Sequence, residues 1–242
     1  TTELAASFVP NVKAVIGHGV DTNSFKPDPK RVEKPIKLIC VGRIRPEKGI
    51  GLIVDALCQV LLDHPDVLVE FAGLVMPKDQ HFFDQQTDKL TVAGLSKQVS
   101  WLGEVPAIEL PDKLSAAHIL IAAPIYAGFG LTPFEALACG LPVICTDTGA
   151  FPYAVGVEKP NTYPAQHLSA PAWRMGEVRH GASGMLINTN DLDALTLALR
   201  RLLNDDALRQ TMSAAAVSRA NSLFTIEQEA AKIESVYEAV LN

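Results

Sequence analysis

Positive charge is scarce in this chain. Its 242 residues carry 21 Lys and Arg against 27 Asp and Glu, a formal net charge of -6. A nucleic-acid surface needs a basic excess or stripe, so the balance argues against that class of partner. No Lys/Arg run suits a patch for anionic membrane. The apolar stretches all fall short of a bilayer span, and the chain is expected to be soluble. No low-complexity tract or internal repeat is visible, and no Ser/His/Asp order with a nucleophile elbow occurs.

Cysteine is also sparse, and none of it is paired in a CxxC motif. Cys40 and Cys145 lie in apolar strand-like runs, and Cys58 and Cys139 in helix-like runs. They are expected to be small buried hydrophobes in a reducing compartment. No Cys/His cluster has zinc-site spacing, so no metal site is expected. The histidines carry little. His118 begins an apolar strand and reads as structural, while His18 and His64 sit in turns.

What the chain has is apolar material: 48% of its residues are hydrophobic, enough for the core of one α/β domain of ordinary size. Strands and helices alternate. Ile36 to Gly42 reads as a buried strand, followed by a helix with Ile53, Leu57, Val60 and Leu61 on one face. Val67 to Gly73 is the next strand. Gln80 to Leu95 reads as a helix ending near Gly94. Val99 to Gly103, His118 to Ala123, Pro142 to Asp147 and Met185 to Ile187 read as further strands. Ile108 to Ala116 and Thr132 to Cys139 read as helices, the second stopped by Gly140. Beyond Met185–Ile187 the pattern is helical over Asp191 to Leu203, Asp206 to Ala220 and Thr225 to Leu241. Such alternation implies a Rossmann-like parallel sheet with helices on both faces and ligands beyond the carboxyl ends of its strands. Val155 to Ser183 breaks the rhythm and reads as a surface insertion or as a lid or partner-contact loop.

Two strand-to-helix turns carry the chemistry. The first, Val41 to Gly49, runs Val-Gly-Arg-Ile-Arg-Pro-Glu-Lys-Gly. Arg43 follows the strand, and Pro46 suits the first turn of a helix that would also hold Lys48. Fixed cations and helix-end amides stabilise charge that grows on a departing diphosphate. A solvated charged loop is the plainer alternative. The second turn, Ala127 to Glu135, runs Ala-Gly-Phe-Gly-Leu-Thr-Pro-Phe-Glu. Its glycines let backbone N–H groups approach a ligand. Glu135 has two readings. Its carboxylate offers two acceptors to ribose hydroxyls, or it closes a capping box with Thr132 at the N-cap and Pro133 at the first helical position.

The two turns together resemble the donor-binding half of retaining glycosyltransferases with the two-domain GT-B fold, family four in particular. The resemblance covers most of the chain through five ordered segments. His18 to Pro27 resembles the interdomain linker, and Val41 to Gly49 the Gly-Arg…Glu-Lys-Gly segment. Phe71-Ala72-Gly73 is similar to a family strand end, Trp101 to Val105 to the loop that meets the base, and Gly128 to Glu135 to the donor loop. The resemblance implies that Arg43 and Lys48 act on the diphosphate as the catalytic cations. It implies that Gly42, Glu104, Val105, Gly128, Phe129, Gly130, Leu131, Thr132 and Glu135 bind the donor, with Glu135 on the ribose. It implies no obligatory metal or cofactor; the nucleotide-diphosphate sugar is a substrate.

The family carries a Glu eight positions before the second one; here that position is Ala127. The sugar therefore lacks one expected acceptor. The resemblance also divides the chain. Residues 1–30 read as linker and the end of an N-terminal domain outside this chain, 31–224 as the donor-binding domain, and 225–242 as a crossover helix. That other domain would bind the acceptor, a sugar or lipid-linked glycan. Ile226, Ile233, Val236, Tyr237 and Val240 of the last helix would stay uncovered without it. The expected function is retaining hexosyl transfer in the cytoplasm, with the parent protein peripheral to the inner membrane surface and this fragment poorly active by itself. A non-catalytic nucleotide-sugar-binding module and a nucleotide-sugar epimerase of the same fold are the competing classes.

Overall fold

Residues 16–157 and 174–241 are described by a computed structural model of the chain. The expected helix or linker over Thr1 to Phe8, and most of the irregular Val155 to Ser183 segment, lie outside these residues. Among the described residues, seven strands form one sheet: Lys37–Val41 (β1), Leu68–Ala72 (β2), Val99–Gly103 (β3), Ile119–Ala122 (β4), Val143–Thr146 (β5), Val178–His180 (β6) and Gly184–Ile187 (β7). Their order is β3-β2-β1-β4-β5-β7-β6, parallel throughout except for the antiparallel pair β6–β7. The parallel sheet expected from sequence is thus present with one antiparallel edge strand. β6 falls in the stretch read as irregular. Its three residues, Val-Arg-His, show no period of their own, and pairing with β7 makes them a strand.

The helices are Ile50–Val60 (α1), Gln80–Val92 (α2), Leu110–Ser115 (α3), Thr132–Ala138 (α4), Phe151–Val155 (α5), Leu192–Asn204 (α6), Asp206–Leu223 (α7) and Ile226–Leu241 (α8). α5 was not expected. It is a single turn with Pro152 near its start, closed by Gly156 in the left-handed region.

Alternation along β1 explains the two layers of core. Leu38 and Cys40 enter a cluster with Ile53, Leu57 and Val60 of α1 and Leu195, Leu199 and Leu202 of α6. Ile39 points the other way, into a cluster with Phe134 and Leu137 of α4, Phe151 of α5 and Ala216 of α7. Each side chain in these two sets is at most 3% exposed. Burial of this kind stabilises by about 1.5–3 kcal/mol per large apolar side chain. Asp191 caps α6 by accepting from Ala194 N at 2.9 Å, and its other oxygen accepts from Gly176 N at 2.7 Å. The four cysteines are free, and Cys40, Cys139 and Cys145 are buried.

α8 leaves the body. It has no buried residue, and Tyr237 and Val240 are exposed. It is held at its start by Glu229, which accepts from Gly19 N at 2.8 Å, and by a bridge between Val20 and Thr225. No helix among the described residues is long and apolar enough to cross a membrane.

Candidate donor-binding cleft

The sheet order fixes where a ligand can lie. From β1 the chain moves outward to β2 and β3, then returns to the other side of β1 as β4 and continues to β5. The reversal between β1 and β4 opens a crevice beyond their carboxyl ends. The two informative turns leave the sheet on either side of that crevice.

They are pinned to each other. The Ile125 amide, after β4, donates to the Glu47 carbonyl, after β1, at 3.0 Å. Gly49 makes the approach possible: it has φ of 70° and a Cβ there would lie 1.8 Å from the Ala123 carbonyl oxygen. The end of β5 braces the second turn. Thr146, fully buried, donates its hydroxyl to the Pro124 carbonyl at 2.8 Å, and Thr148 Oγ1 accepts from Ala127 N at 3.1 Å. Gly130 has φ of 81°, and a Cβ there would strike the Phe151 ring at 2.3 Å. Without a side chain at Gly130, α5 can close the back of the turn.

The resulting cleft is lined by Gly42, Lys48, Ala127, Gly130, Thr132 and Phe151, among others. The structure therefore brings Gly42, Lys48, Gly130 and Thr132 together, four of the residues singled out from sequence. Arg43 is exposed at the end of β1 and does not line this cleft. Glu104 and Val105 follow β3, two strands from β1, a distance the strand spacing puts at roughly 10 Å. Gly128 is exposed with open space beside it, and Leu131 is exposed. Phe129 lies outside the lining of this cleft. It stacks on Phe134 at 4.9 Å and meets the His18 ring edge-on at 4.8 Å.

Two expected details of the turns are corrected. Pro46–Lys48 form a separate 3-10 turn that ends at Gly49, and α1 begins only at Ile50. Lys48 thus precedes the α-helix instead of occupying its first turn. The capping box is absent: Leu131 is already αR, α4 starts at Thr132, and no side chain caps it. Thr132 cannot serve as an N-cap once its own backbone is helical.

The electrostatics of the cleft are unbalanced. Burial draws the Lys48 pKa below the usual lysine value, and the neighbouring Arg45 and Arg43, in that order, lower it further. No ion pair to Lys48 or Arg43 is formed among the described residues. Glu135 is half-buried, and burial raises its pKa above the usual carboxylate value. Its carboxylate makes no hydrogen bond among the described residues. One turn on, Cys139 Sγ lies 3.9 Å from the Pro111 carbonyl, so this face of α4 looks toward the start of α3. Cys139 itself is pushed up to about 12, mainly by burial and then by Glu135. Of these charged residues Lys48 lines the cleft, whereas Arg43, Arg45 and Glu135 lie outside its lining.

Ala127 is 7% exposed and packs in the apolar cluster with Ala150 and Phe151. It presents no acceptor to the cleft. Two contributors escaped the sequence reading, Thr146 and Thr148, which act through tertiary partners that no local pattern shows. Among the described residues, no group of three or more His, Cys, Asp or Glu is placed to hold a metal ion.

Comparison with known proteins bears on the family and the fold. The chain is 30% identical over 250 aligned positions to the lipopolysaccharide core biosynthesis mannosyltransferase LpsB of Rhizobium meliloti (strain 1021), covering 100% of this chain and 65% of that protein. It is 29% identical to the mannosyltransferase LpcC of Rhizobium leguminosarum bv. viciae, again covering 100% of this chain and 64% of the relative. The chain thus spans less than two thirds of the length of either relative. Among solved structures it resembles the C-terminal domain of the glycosyl transferase group 1 family protein LpcC from Francisella tularensis. That match has a TM-score of 0.72 at 25% identity and covers 86% of this chain and 100% of that domain. It shares its fold with Anabaena HepE, solved with UDP, at a TM-score of 0.76 and 21% identity over 93% of this chain and 57% of that one. The family description "Glycosyl transferases group 1" matches residues 21–163, more than half of the chain, and the chain belongs to that glycosyltransferase family.

Proposed function

We propose that this chain is the donor domain of a retaining family-four glycosyltransferase that uses a nucleotide-diphosphate hexose. The observation that carries the reading is the placement of Lys48 and the Gly130 turn on one cleft at the β1–β4 switch point. Lys48 and Arg43 neutralise the diphosphate, and charge growing on the leaving oxygen is held by these cations without a metal. Arg43 reaches the diphosphate from the rim. Glu135 accepts from the ribose hydroxyls; its pKa is raised by burial. Val105, with Glu104 beside it, meets the base through its backbone. The amides of Phe129, Gly130 and Leu131 serve the sugar and phosphates. Substitution occurs on the front face through an oxocarbenium-like sugar.

Residues 31–224 form the donor-binding unit in this reading, 1–30 the linker, and 225–242 the crossover helix. The acceptor, a sugar or lipid-linked glycan, is bound by another domain of the parent protein. The names of the two mannosyltransferase relatives support hexosyl transfer, and HepE solved with UDP-glucose supports a nucleotide sugar as ligand.

A thermal-shift screen with UDP, GDP, ADP and their hexose conjugates tests the reading. One nucleotide series should stabilise the chain in proportion to the logarithm of its concentration above Kd. Indifference to all three series would refute it. Ala127 favours a second reading, a nucleotide-sugar-binding module without turnover, because it gives the sugar no side-chain acceptor. Turnover by the full-length parent would exclude that alternative.

A further inference from the structure

The 3-10 turn after β1 holds a cation for which the donor reading has no role. Arg45 sits immediately before Pro46, and its carbonyl accepts from Lys48 N at 3.2 Å. Its side chain is only 24% exposed. The guanidinium Nε is buried and has no hydrogen-bond partner. Among the described residues the one carboxylate within 4 Å of it is that of Glu47, 3.7 Å from Nε, too far for a hydrogen bond, and itself 63% exposed. A surface pair of that kind contributes little.

A half-buried arginine is ordinarily held by carboxylates or carbonyls, as Arg219 is here by the carbonyls of Tyr153 and Ala154. Arg45 faces like charge instead. Arg43 and Lys48 lie in the same seven-residue turn, and Arg45 depresses the Lys48 pKa more than Arg43 does. Three cations gathered with an unpaired buried donor form an arrangement that is unfavourable when empty and favourable around a multiply charged anion.

We propose that Arg45, at the edge of the cleft that Lys48 lines, donates through its guanidinium to the diphosphate of the nucleotide ligand alongside Lys48. The proposal rests on the donor reading above and adds a contact to it. Arg45 would bind the anion as a planar, multiply donating group, which Lys48 cannot do.

The test is calorimetry on the whole chain with UDP, GDP and ADP, their parent nucleosides and inorganic pyrophosphate. The variants are Arg45→Gln, Arg45→Lys and Lys48→Ala. Arg45→Gln should weaken the bound diphosphate and pyrophosphate about 10-fold and leave the nucleoside unchanged. Arg45→Lys should recover part of the loss. It also carries the test if Arg45→Gln does not fold. A second readout follows the Lys48 amine by NMR of the dimethylated protein. Its titration should move to higher pH in Arg45→Gln, and saturating diphosphate should move it up in the unmodified sequence. Diphosphate affinity that falls in Lys48→Ala but holds in both Arg45 variants would overturn the role of Arg45 and spare the donor reading. Affinity unchanged in all three variants would overturn both.

Discussion

The Ile125 amide and the Glu47 carbonyl are joined at 3.0 Å, a hydrogen bond between the turn after β1 and the turn after β4. It sets the width of the cleft, because Lys48 follows Glu47 and Ala127 and Gly130 follow Ile125. The approach depends on Gly49, whose missing Cβ leaves room for the Ala123 carbonyl.

Gly49→Ala should therefore cost more than a surface change. The new methyl would lie within bonding range of Ala123 O, and φ of 70° is strained for alanine. A loss of about 2–4 kcal/mol in urea unfolding is expected, with diphosphate binding lost at temperatures where the variant remains folded. A loss under 0.5 kcal/mol would mean that the two turns are not held this closely.

Thr146→Val should loosen the second turn from behind. The substitution keeps the shape and leaves the buried Pro124 carbonyl without its 2.8 Å donor. A cost of about 1–2 kcal/mol is expected, together with faster amide exchange over residues 125–130. Unchanged exchange there would remove Thr146 from the account.

The cleft should be less stable empty than its neutral variants. Lys48 is partly desolvated among cations, and Glu135 is desolvated without donors. At neutral pH, Lys48→Met and Glu135→Gln should each raise the stability of the free chain by roughly 0.5–1 kcal/mol. Both should weaken nucleotide binding. For Glu135 the sign follows from its raised folded-state pKa. The folded form binds a proton more readily than the unfolded chain, so acidification relieves the cost and Glu135→Gln should help most at high pH. Denaturant midpoints at pH 5 and pH 8 check this, and a variant less stable at pH 8 would contradict it.

How much of this was legible in the sequence differs by element. The long strands and helices with a clear period, such as Ile53, Leu57 and Val60 on α1, follow from where apolar side chains must go. β6 and α5 do not, because three and five residues carry no period and take their form from neighbours. The capping box failed because Thr-Pro-Phe-Glu spacing says nothing of the backbone at Leu131, which had already entered the helix. In the cleft, Lys48 and Gly130 were readable from their turns. Thr146 and Thr148 were not, since their partners lie 22 and 21 residues away.

His118 offers a separate check on the reading of that residue as structural. Its Nδ1 accepts from Lys37 N at 3.0 Å and its Nε2 lies 2.8 Å from the Val32 carbonyl, an arrangement for the neutral ring protonated on Nε2. Burial lowers its pKa. The unfolded chain takes up a proton near pH 6.5 while the folded chain resists it, so stability should fall as pH drops below about 6.5 and level off beneath the folded-state value. His180, lowered by burial and then by Arg201, acts in the same direction. Comparison of the unmodified sequence with His118→Gln isolates the first contribution: the variant should lose less stability between pH 7.5 and pH 5.5. Parallel pH profiles would contradict the assignment.

The central claim is that the cleft at the β1–β4 switch point receives the diphosphate of a nucleotide sugar. Its most direct test is the affinity of Lys48→Ala for a nucleoside diphosphate and for the matching nucleoside, measured by calorimetry against the unmodified chain. The account predicts a loss of about 1–3 kcal/mol for the diphosphate and almost none for the nucleoside. Equal losses for both ligands, or none for either, would contradict it.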